Sequence, residues 1–175
     1  MYDPAVMSKS GTLKRKSPIA DKYYTLTRDL PDSLARELKP SEEERKEIEE
    51  IILEPDHIQL SEGEQFKIWK YRYTLLGDPA FTETSLPKFL KSVNWLKAKE
   101  EQEALSLLRV WPEVNIQNAL PLLSLDFCAN NIYNKKAIPD AFSEIRQFAV
   151  KCLGKATNEE IESILLQLVQ AFRYE

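Results

Sequence analysis

The stretch SEGEQFKIWKYRYTLLG, residues 61–77, decides the fold class. Ser61 and Glu64 fit the S/T-x-x-E capping box that begins many helices, and Gly77 stands where helices often end in a left-handed conformation. The sequence therefore predicts one continuous helix over about 62–76. Its large apolar side chains recur at spacings of three and four, which places them on one helical face; they are Phe66, Trp69, Tyr73 and Leu76.

Two further capping boxes mark helix starts elsewhere in the chain, at Ser41 with Glu44 and at Thr157 with Glu160. The first predicts a helix over about 42–54, before Pro55, and the second a helix from Asn158 toward Tyr174. Four more helical patterns lie between them. They begin after Ser85, at Ala98, between Asn115 and Asn118, and after Pro139.

Pro121 lies inside the fifth helical pattern in chain order, the one that begins between Asn115 and Asn118. There it can interrupt the helical hydrogen bonds. If Asn118 is the N-cap, the missing amide is harmless; if Asn115 is the N-cap, the helix kinks. We expect a start between the two residues, with a local irregularity. Residues 129–140, ANNIYNKKAIPD, are predicted to form a polar surface loop.

Seven helical patterns, no convincing strand and short connections predict an all-α fold. Helices joined by short connections stack as antiparallel pairs, and we expect a right-handed superhelix of the armadillo or HEAT kind. No repeat of fixed period is legible, so this expectation rests on helix pairing alone.

Residues 1–40 lack sustained periodicity and contain four of the ten prolines. They are predicted to be an extended or disordered linker that precedes a helical domain over residues 41–175. The basic stretch at residues 13–16 suits contact with an anionic membrane, and a solvated tail is the alternative interpretation.

Composition narrows the class of protein. The chain has 175 residues, of which 43% are hydrophobic and 30% charged, with a net charge of −4. This balance is typical of a soluble globular domain, and no concentrated basic field indicates nucleic-acid binding. No apolar run approaches the roughly 18 residues that span a bilayer. Cys128 and Cys152 belong to no metal-binding or disulfide pattern, so we expect reduced structural thiols.

A catalytic constellation is missing from the sequence pattern. His57 is the only histidine, so every Ser-His-Asp arrangement would depend on it. The four glycines are too far apart to form a phosphate-binding loop. Asp126-Phe127-Cys128 lacks the glycine of the metal-binding D-F-G motif of kinases. We therefore predict no catalytic, cofactor-binding or metal-binding residue in this chain, and favour a binding or scaffolding role.

Several stretches, taken in order, resemble one domain family. IWKYRY at residues 68–73 and LPKFLKSVNW at residues 86–95 are similar to landmarks of the helical accessory domain of phosphatidylinositol 3-kinases. ALSLL at 104–108 and LLQLVQAFRYE at 165–175 continue the resemblance. The entry RELKP at residues 36–40 is similar to that of the class III, vacuolar-sorting type. Residues 18–28 resemble the stretch that leaves the C2 domain of these enzymes.

The resemblance implies a non-catalytic scaffold that positions the C2 and kinase domains of a parent enzyme. The parent would phosphorylate the 3-hydroxyl of phosphatidylinositol, with ATP and a divalent metal bound in its kinase domain. Its implied partners are a regulatory protein kinase and coiled-coil subunits, and its implied location is cytoplasmic, peripheral on endosomal or autophagic membranes. An accessory domain of a phosphatidylinositol 4-kinase, a free-standing helical adaptor and an enzyme with an unrecognised site are the alternatives.

The last predicted helix is apolar over more of its circumference than one partner helix buries. Val169 and Arg173 lie on a different side from its inward stripe, so we predict that they form an interdomain contact with the kinase domain. A fraying, unpartnered end is the alternative. The stripe predicted to point inward comprises Ile161, Ile164, Leu165, Leu168 and Phe172.

Overall fold

The computed structural model describes residues 32–56, 58–124 and 139–171, together with Arg28, Leu30 and Phe127. The chain divides into two compact units, Met1–Leu30 and Pro31–Glu175, and all helices below belong to the second. Helices account for every regular element of the described ranges, which contain no strand, so the all-α prediction is confirmed. They are α1 (Asp32–Glu37), α2 (Glu42–Leu53), α3 (Glu62–Lys70), α4 (Arg72–Gly77), α5 (Pro79–Thr82), α6 (Leu86–Ser92), α7 (Ala98–Val110), α8 (Ile116–Ala119), a 3₁₀ turn (Leu120–Leu123), α9 (Pro139–Leu153) and α10 (Asn158–Ala171).

Local capping chemistry sets three helix starts as predicted. The Ser41 amide donates to Glu44 Oε2 (3.0 Å), and the Glu44 amide donates to Ser41 Oγ (3.2 Å). The box at residues 61–64 forms in the same way before α3. In the third box the Thr157 amide donates to a Glu160 oxygen at 2.8 Å. Each box satisfies two backbone amides that would otherwise lack a helical acceptor.

The prediction of a single helix over 62–76 is wrong, because the helix is interrupted at Tyr71, between α3 and α4. Arg72 Nη1 donates to the Trp69 carbonyl oxygen at 3.0 Å, the oxygen that a continuous helix would present to the amide of residue 73. The predicted left-handed end at Gly77 is also wrong, since Gly77 is the last residue of α4 and does not adopt a positive φ.

The irregularity predicted around Pro121 is confirmed, and the alternatives for its helix start are resolved. Asn115 is the N-cap of α8, and its side chain accepts from the Asn118 amide at 2.9 Å. The α-helix lasts only from Ile116 to Ala119. A 3₁₀ turn then accommodates Pro121 in its first turn, where no amide is required.

An aromatic column forms the centre of the core. Trp69 stacks on Phe89 with 6.2 Å between ring centroids, and Phe89 stacks on Trp111 at 5.2 Å. Trp111 Nε1 donates to the Thr82 carbonyl oxygen at 2.9 Å, which satisfies the buried indole. The column therefore joins α3, α6 and the residue that directly follows α7.

Neighbouring helices pack in succession along the domain. α2 packs on α3, α3 on α6 and α6 on α8, while α9 packs against α7, α8 and the 3₁₀ turn, and α10 packs against that turn. The stacking in antiparallel pairs and the right-handed superhelix stay predictions.

The linker prediction needs one correction. Residues 32–37 form α1 rather than extended chain, because Ala35 is buried against the domain and Thr74 Oγ1 donates to the Leu38 carbonyl oxygen at 3.1 Å. Residues 1–27, His57, Cys128 and the predicted loop up to residue 138 lie outside the described residues. Pro139 and Asp140, assigned to that loop, begin α9 instead.

Candidate interaction surface

The inner side of α10 fastens this helix to the domain. Ile164, Leu168 and Ala171 are partly buried and pack against the hydrophobic core, over about 60° of the helix circumference at 100° per residue. Unlike the other long helices, α10 has no fully buried residue. It is therefore the most weakly covered long helix of the described domain.

The outer side of α10 carries an apolar face. Leu165, Leu166 and Val169 are exposed by 54%, 68% and 56%. At 100° per residue they span about 100° of the circumference, so they form one continuous surface rather than scattered side chains. Three large apolar residues on one exposed helical face are typical of a surface that another element covers.

Sequence and structure agree on part of this surface. Val169 lies on the outer side as expected, together with Leu166. The inward orientation predicted for Leu165 is wrong, because Ile164, Leu168 and Ala171 take the core-facing side and turn Leu165 past its edge. Arg173 and Phe172 lie outside the described residues. The interdomain contact of Val169 and Arg173 stays a prediction.

Ion pairs hold the ends of the neighbouring helices. Glu113, after α7, pairs with Lys151 at 3.5 Å and with Lys155, which lies between α9 and α10. The hydrogen bond from Lys155 is the main reason that the pKa of Glu113 lies below its usual value. Arg109 binds Glu144 through two nitrogens at 2.9 and 3.2 Å. Because solvent screens exposed ion pairs, each of them contributes little to stability.

A buried polar cluster links α3, α4 and α7 in the interior of the domain. Arg72 is 1% exposed, and its Nε donates to Glu103 Oε1 at 2.5 Å. The Tyr73 hydroxyl donates to the same oxygen at 3.0 Å, and the Arg72 guanidinium carbon lies 4.6 Å from the Trp69 ring centroid. These contacts tie α3 and α4 to α7. The cluster pairs a cation with a carboxylate and contains no activated nucleophile, so its contribution is rigidity.

Two lysines of α6 bind the segment that follows α2. Lys88 Nζ donates to the Pro55 carbonyl oxygen at 3.0 Å and lies 3.7 Å from an Asp56 carboxylate oxygen. Lys91 Nζ donates to the Asp56 carbonyl oxygen. The last turn of α2 has no basic residue of its own, and these lysines bind the segment that follows it. Burial lowers the pKa of Lys88.

Neither a metal-ligand cluster nor a membrane-spanning helix is found among the residues that the structure describes. Within them, no three histidine, cysteine, aspartate or glutamate side chains are grouped so that they could hold a metal ion. No helix there combines the length and the apolar character needed to cross a membrane. Cys152 is a buried free thiol.

The described residues form an all-α domain with a hydrogen-bonded polar cluster in its interior and an exposed apolar face on α10. The model of the phosphoinositide 3-kinase family accessory domain (PIK domain) matches residues 36–175. The chain belongs to this family, which confirms the resemblance seen in the sequence. The match begins at Arg36, a few residues before the predicted boundary at residue 41.

Individual relatives agree with the family. The chain is 38% identical over 164 residues to phosphatidylinositol 3-kinase pik3 of Schizosaccharomyces pombe, which covers 93% of the chain and 18% of that protein. It is 37% identical over 175 residues to the root isoform of phosphatidylinositol 3-kinase of Glycine max, covering 100% and 19%. Phosphatidylinositol 3-kinase VPS34 of Saccharomyces cerevisiae is 35% identical over 159 residues, covering 90% and 16%. The chain thus spans less than a fifth of the curated relatives it matches.

Proposed function

We propose that this chain is the non-catalytic scaffold of a class III phosphatidylinositol 3-kinase and holds the kinase domain against the outer face of α10. The observation that carries the proposal is the exposed apolar face of Leu165, Leu166 and Val169. Relatives that are 35–38% identical over at least 90% of the chain are named phosphatidylinositol 3-kinases and extend well beyond the matched region. Because the relatives are much longer than this chain, another domain of the parent protein is the partner that we expect on the α10 face.

The proposed parent enzyme transfers the γ-phosphoryl group of ATP to the 3-hydroxyl of phosphatidylinositol. ATP and a divalent metal would bind in its kinase domain, outside this chain. Its C2 domain would precede the helical domain. The proposed partners are a regulatory protein kinase and coiled-coil subunits, and the proposed site of action is the cytoplasmic surface of endosomal or autophagic membranes.

Rigidity is the physical basis of the scaffold role. A spacer holds two domains at a defined angle only if its own helices keep their relative positions. The aromatic column joins α3, α6 and α7, and the cluster of Arg72, Tyr73 and Glu103 joins α3, α4 and α7 through directional hydrogen bonds. Close-packed interiors of this kind transmit force with little deformation.

The experiment that tests the proposal replaces Val169 and Arg173 with aspartate in the intact enzyme. We expect lipid-kinase activity to fall by about tenfold or more, because two new carboxylates would have to be desolvated at the contact. The isolated chain with the same changes should keep its helical circular dichroism and its urea midpoint. Unchanged activity would place the contact elsewhere, and an unfolded chain would place these residues in the core.

Val110→Asp is the matched control, since Val110 is 66% exposed at the end of α7 and lies outside the α10 face. It should leave activity unchanged. An equal loss in the control would mean that any new surface carboxylate disturbs the enzyme, and the contact would then lose its support.

Two alternatives are separated by simple measurements. ATP-dependent phosphorylation of phosphatidylinositol by the purified chain would show a self-contained enzyme and contradict the scaffold proposal. A reading frame that stops after Glu175 in the source gene would favour a free-standing adaptor. The relatives described above carry the name of 3-kinases, which supports a 3-kinase parent over a 4-kinase parent.

A further inference from the structure

Residues 32–38, here called the strap, are attached to the domain by few apolar contacts. Of the side chains described in residues 33–38, Ala35 is buried, Leu38 is partly buried, and the other four are exposed. Leu34, the largest apolar residue of α1, is 52% exposed. The helix has only 6 residues, far fewer than an isolated helix needs to persist in water. The strap therefore depends on its attachment for its structure.

The attachment is concentrated on two consecutive residues of α4. The Arg36 guanidinium carbon lies 5.0 Å from the centroid of the Tyr73 ring. Thr74 Oγ1 donates to the Leu38 carbonyl oxygen at 3.1 Å. The Tyr73 hydroxyl donates to Glu103 of α7 at 3.0 Å, so the ring that receives Arg36 is itself held by a second helix.

We propose that the strap opens and closes as a unit, with Tyr73 as its latch, while the core helices α3, α6 and α7 stay folded. Local opening requires little free energy where few buried apolar contacts are lost. Release of Arg36 and Leu38 would leave Ala35 as the only buried anchor of the described strap side chains. A six-residue helix without its anchors melts, and the latch remains intact on α4 for reattachment.

Opening of the strap would change the distance that the chain spans between this domain and a preceding one. This step alone rests on the proposed scaffold function. Six residues in α1 span about 9 Å, whereas six extended residues span about 20 Å. An open strap would lengthen the connection to a preceding domain by about 11 Å. A closed strap would hold the entry point of the chain beside α4. The latch would thus switch a parent enzyme between a tight and a loose connection.

Amide hydrogen exchange of the chain, followed residue by residue, tests the proposal. After correction for intrinsic rates, the Arg36 and Glu37 amides should exchange at least tenfold faster than protected amides of α3. Their exchange should also stay insensitive to low urea concentrations, because local opening exposes little surface. Equal rates in the strap and α3, rising together with urea, would mean that the strap opens only on global unfolding, and would overturn the proposal.

The latch is tested by Arg36→Met, which keeps an unbranched, flexible side chain and removes the cation. A cation–π contact at an exposed site corresponds to a factor of about two to five, so exchange of the Glu37 amide should accelerate by that factor. Arg45→Met is the matched control, because Arg45 lies 4.6 Å from the Phe81 ring centroid on other helices. The control should leave the strap unchanged.

The two variants together decide the role of Tyr73. No acceleration in Arg36→Met, or the same acceleration in both variants, would contradict a latch at this residue. Both measurements use the chain alone and no kinase activity. A failed activity test of the α10 contact would therefore leave this inference standing, and failure here would leave the scaffold proposal untouched.

Discussion

At the scale of single residues, buried charge organises the centre of the domain. The Arg72 Nη2 atom is buried and lacks a hydrogen-bond partner, although the same side chain binds Glu103 and the Trp69 carbonyl oxygen. An unsatisfied buried donor lowers stability. The guanidinium also lies over the Trp69 and Tyr73 rings, and such contacts with aromatic faces offset part of that loss. Arg72 thereby joins the helix break at Tyr71 to the core.

Glu44 belongs to the same scale and gives a prediction about pH. Hydrogen bonds from the Tyr71 hydroxyl and then from the Ser41 amide lower its pKa from 4.5 to about 2. A carboxyl group with a lowered pKa stabilises the fold above its unfolded pKa and loses that contribution as pH falls. We therefore expect the difference in unfolding free energy between the unsubstituted chain and Glu44→Gln to be constant above about pH 5. It should shrink between pH 4.5 and about 2.

Urea unfolding at several pH values measures this difference. Glutamine keeps the capping-box geometry, so the variant isolates the charge of Glu44. Glu43→Gln, an exposed position in the same turn, is the control for removing a negative charge from the start of α2. A Glu44→Gln difference that stayed constant down to pH 2 would contradict the lowered pKa.

At the scale of elements, local signals located helix starts better than helix ends. The three capping boxes form as predicted because all their atoms lie within four residues. The break at Tyr71 was missed. Arg72, the residue after it, contacts Glu103, which lies 31 residues away along the chain and is invisible to a local pattern. The periodicity of residues 66–76 continues across the break and gives no sign of it.

Gly77 provides the element-scale prediction. It is the last residue of α4, it has no positive φ, and a Cβ there would meet no heavy atom within 4 Å. Alanine should therefore stabilise the domain by about 0.5–1 kcal/mol, because it restricts the unfolded chain and favours helix. Thermal unfolding should show a rise of a few degrees.

The same substitution distinguishes the two conformations considered for Gly77. In a left-handed end, as the sequence alone suggested, alanine would be strained and the melting temperature would fall. Gly154→Ala is a comparison at a tighter site, because its Cβ would lie 3.4 Å from the Val150 carbonyl oxygen. A fall in stability for Gly77→Ala would contradict the helical conformation described here.

At the scale of the whole molecule, the fold class and family were legible in the sequence, while the details of the interaction surface were not. Helical periodicity predicts which helices exist, and the family resemblance seen in the sequence agrees with the family model that matches residues 36–175. The side of α10 that meets the core depends on where its neighbours stand. Ile161 and Leu165 share a helical spacing, so sequence reasoning placed Leu165 inward, whereas packing leaves it exposed.

We propose that another domain of the parent protein covers the outer face of α10. The most direct test compares thiol labelling of Val169→Cys in the isolated chain and in the full-length protein, with Cys128 replaced by serine in both; Cys152 is buried. Exposure of Val169 predicts fast maleimide labelling in the isolated chain. Burial in the parent predicts labelling at least tenfold slower, while Val110→Cys should label equally fast in both proteins. Equal labelling of Val169→Cys in both would contradict the claim.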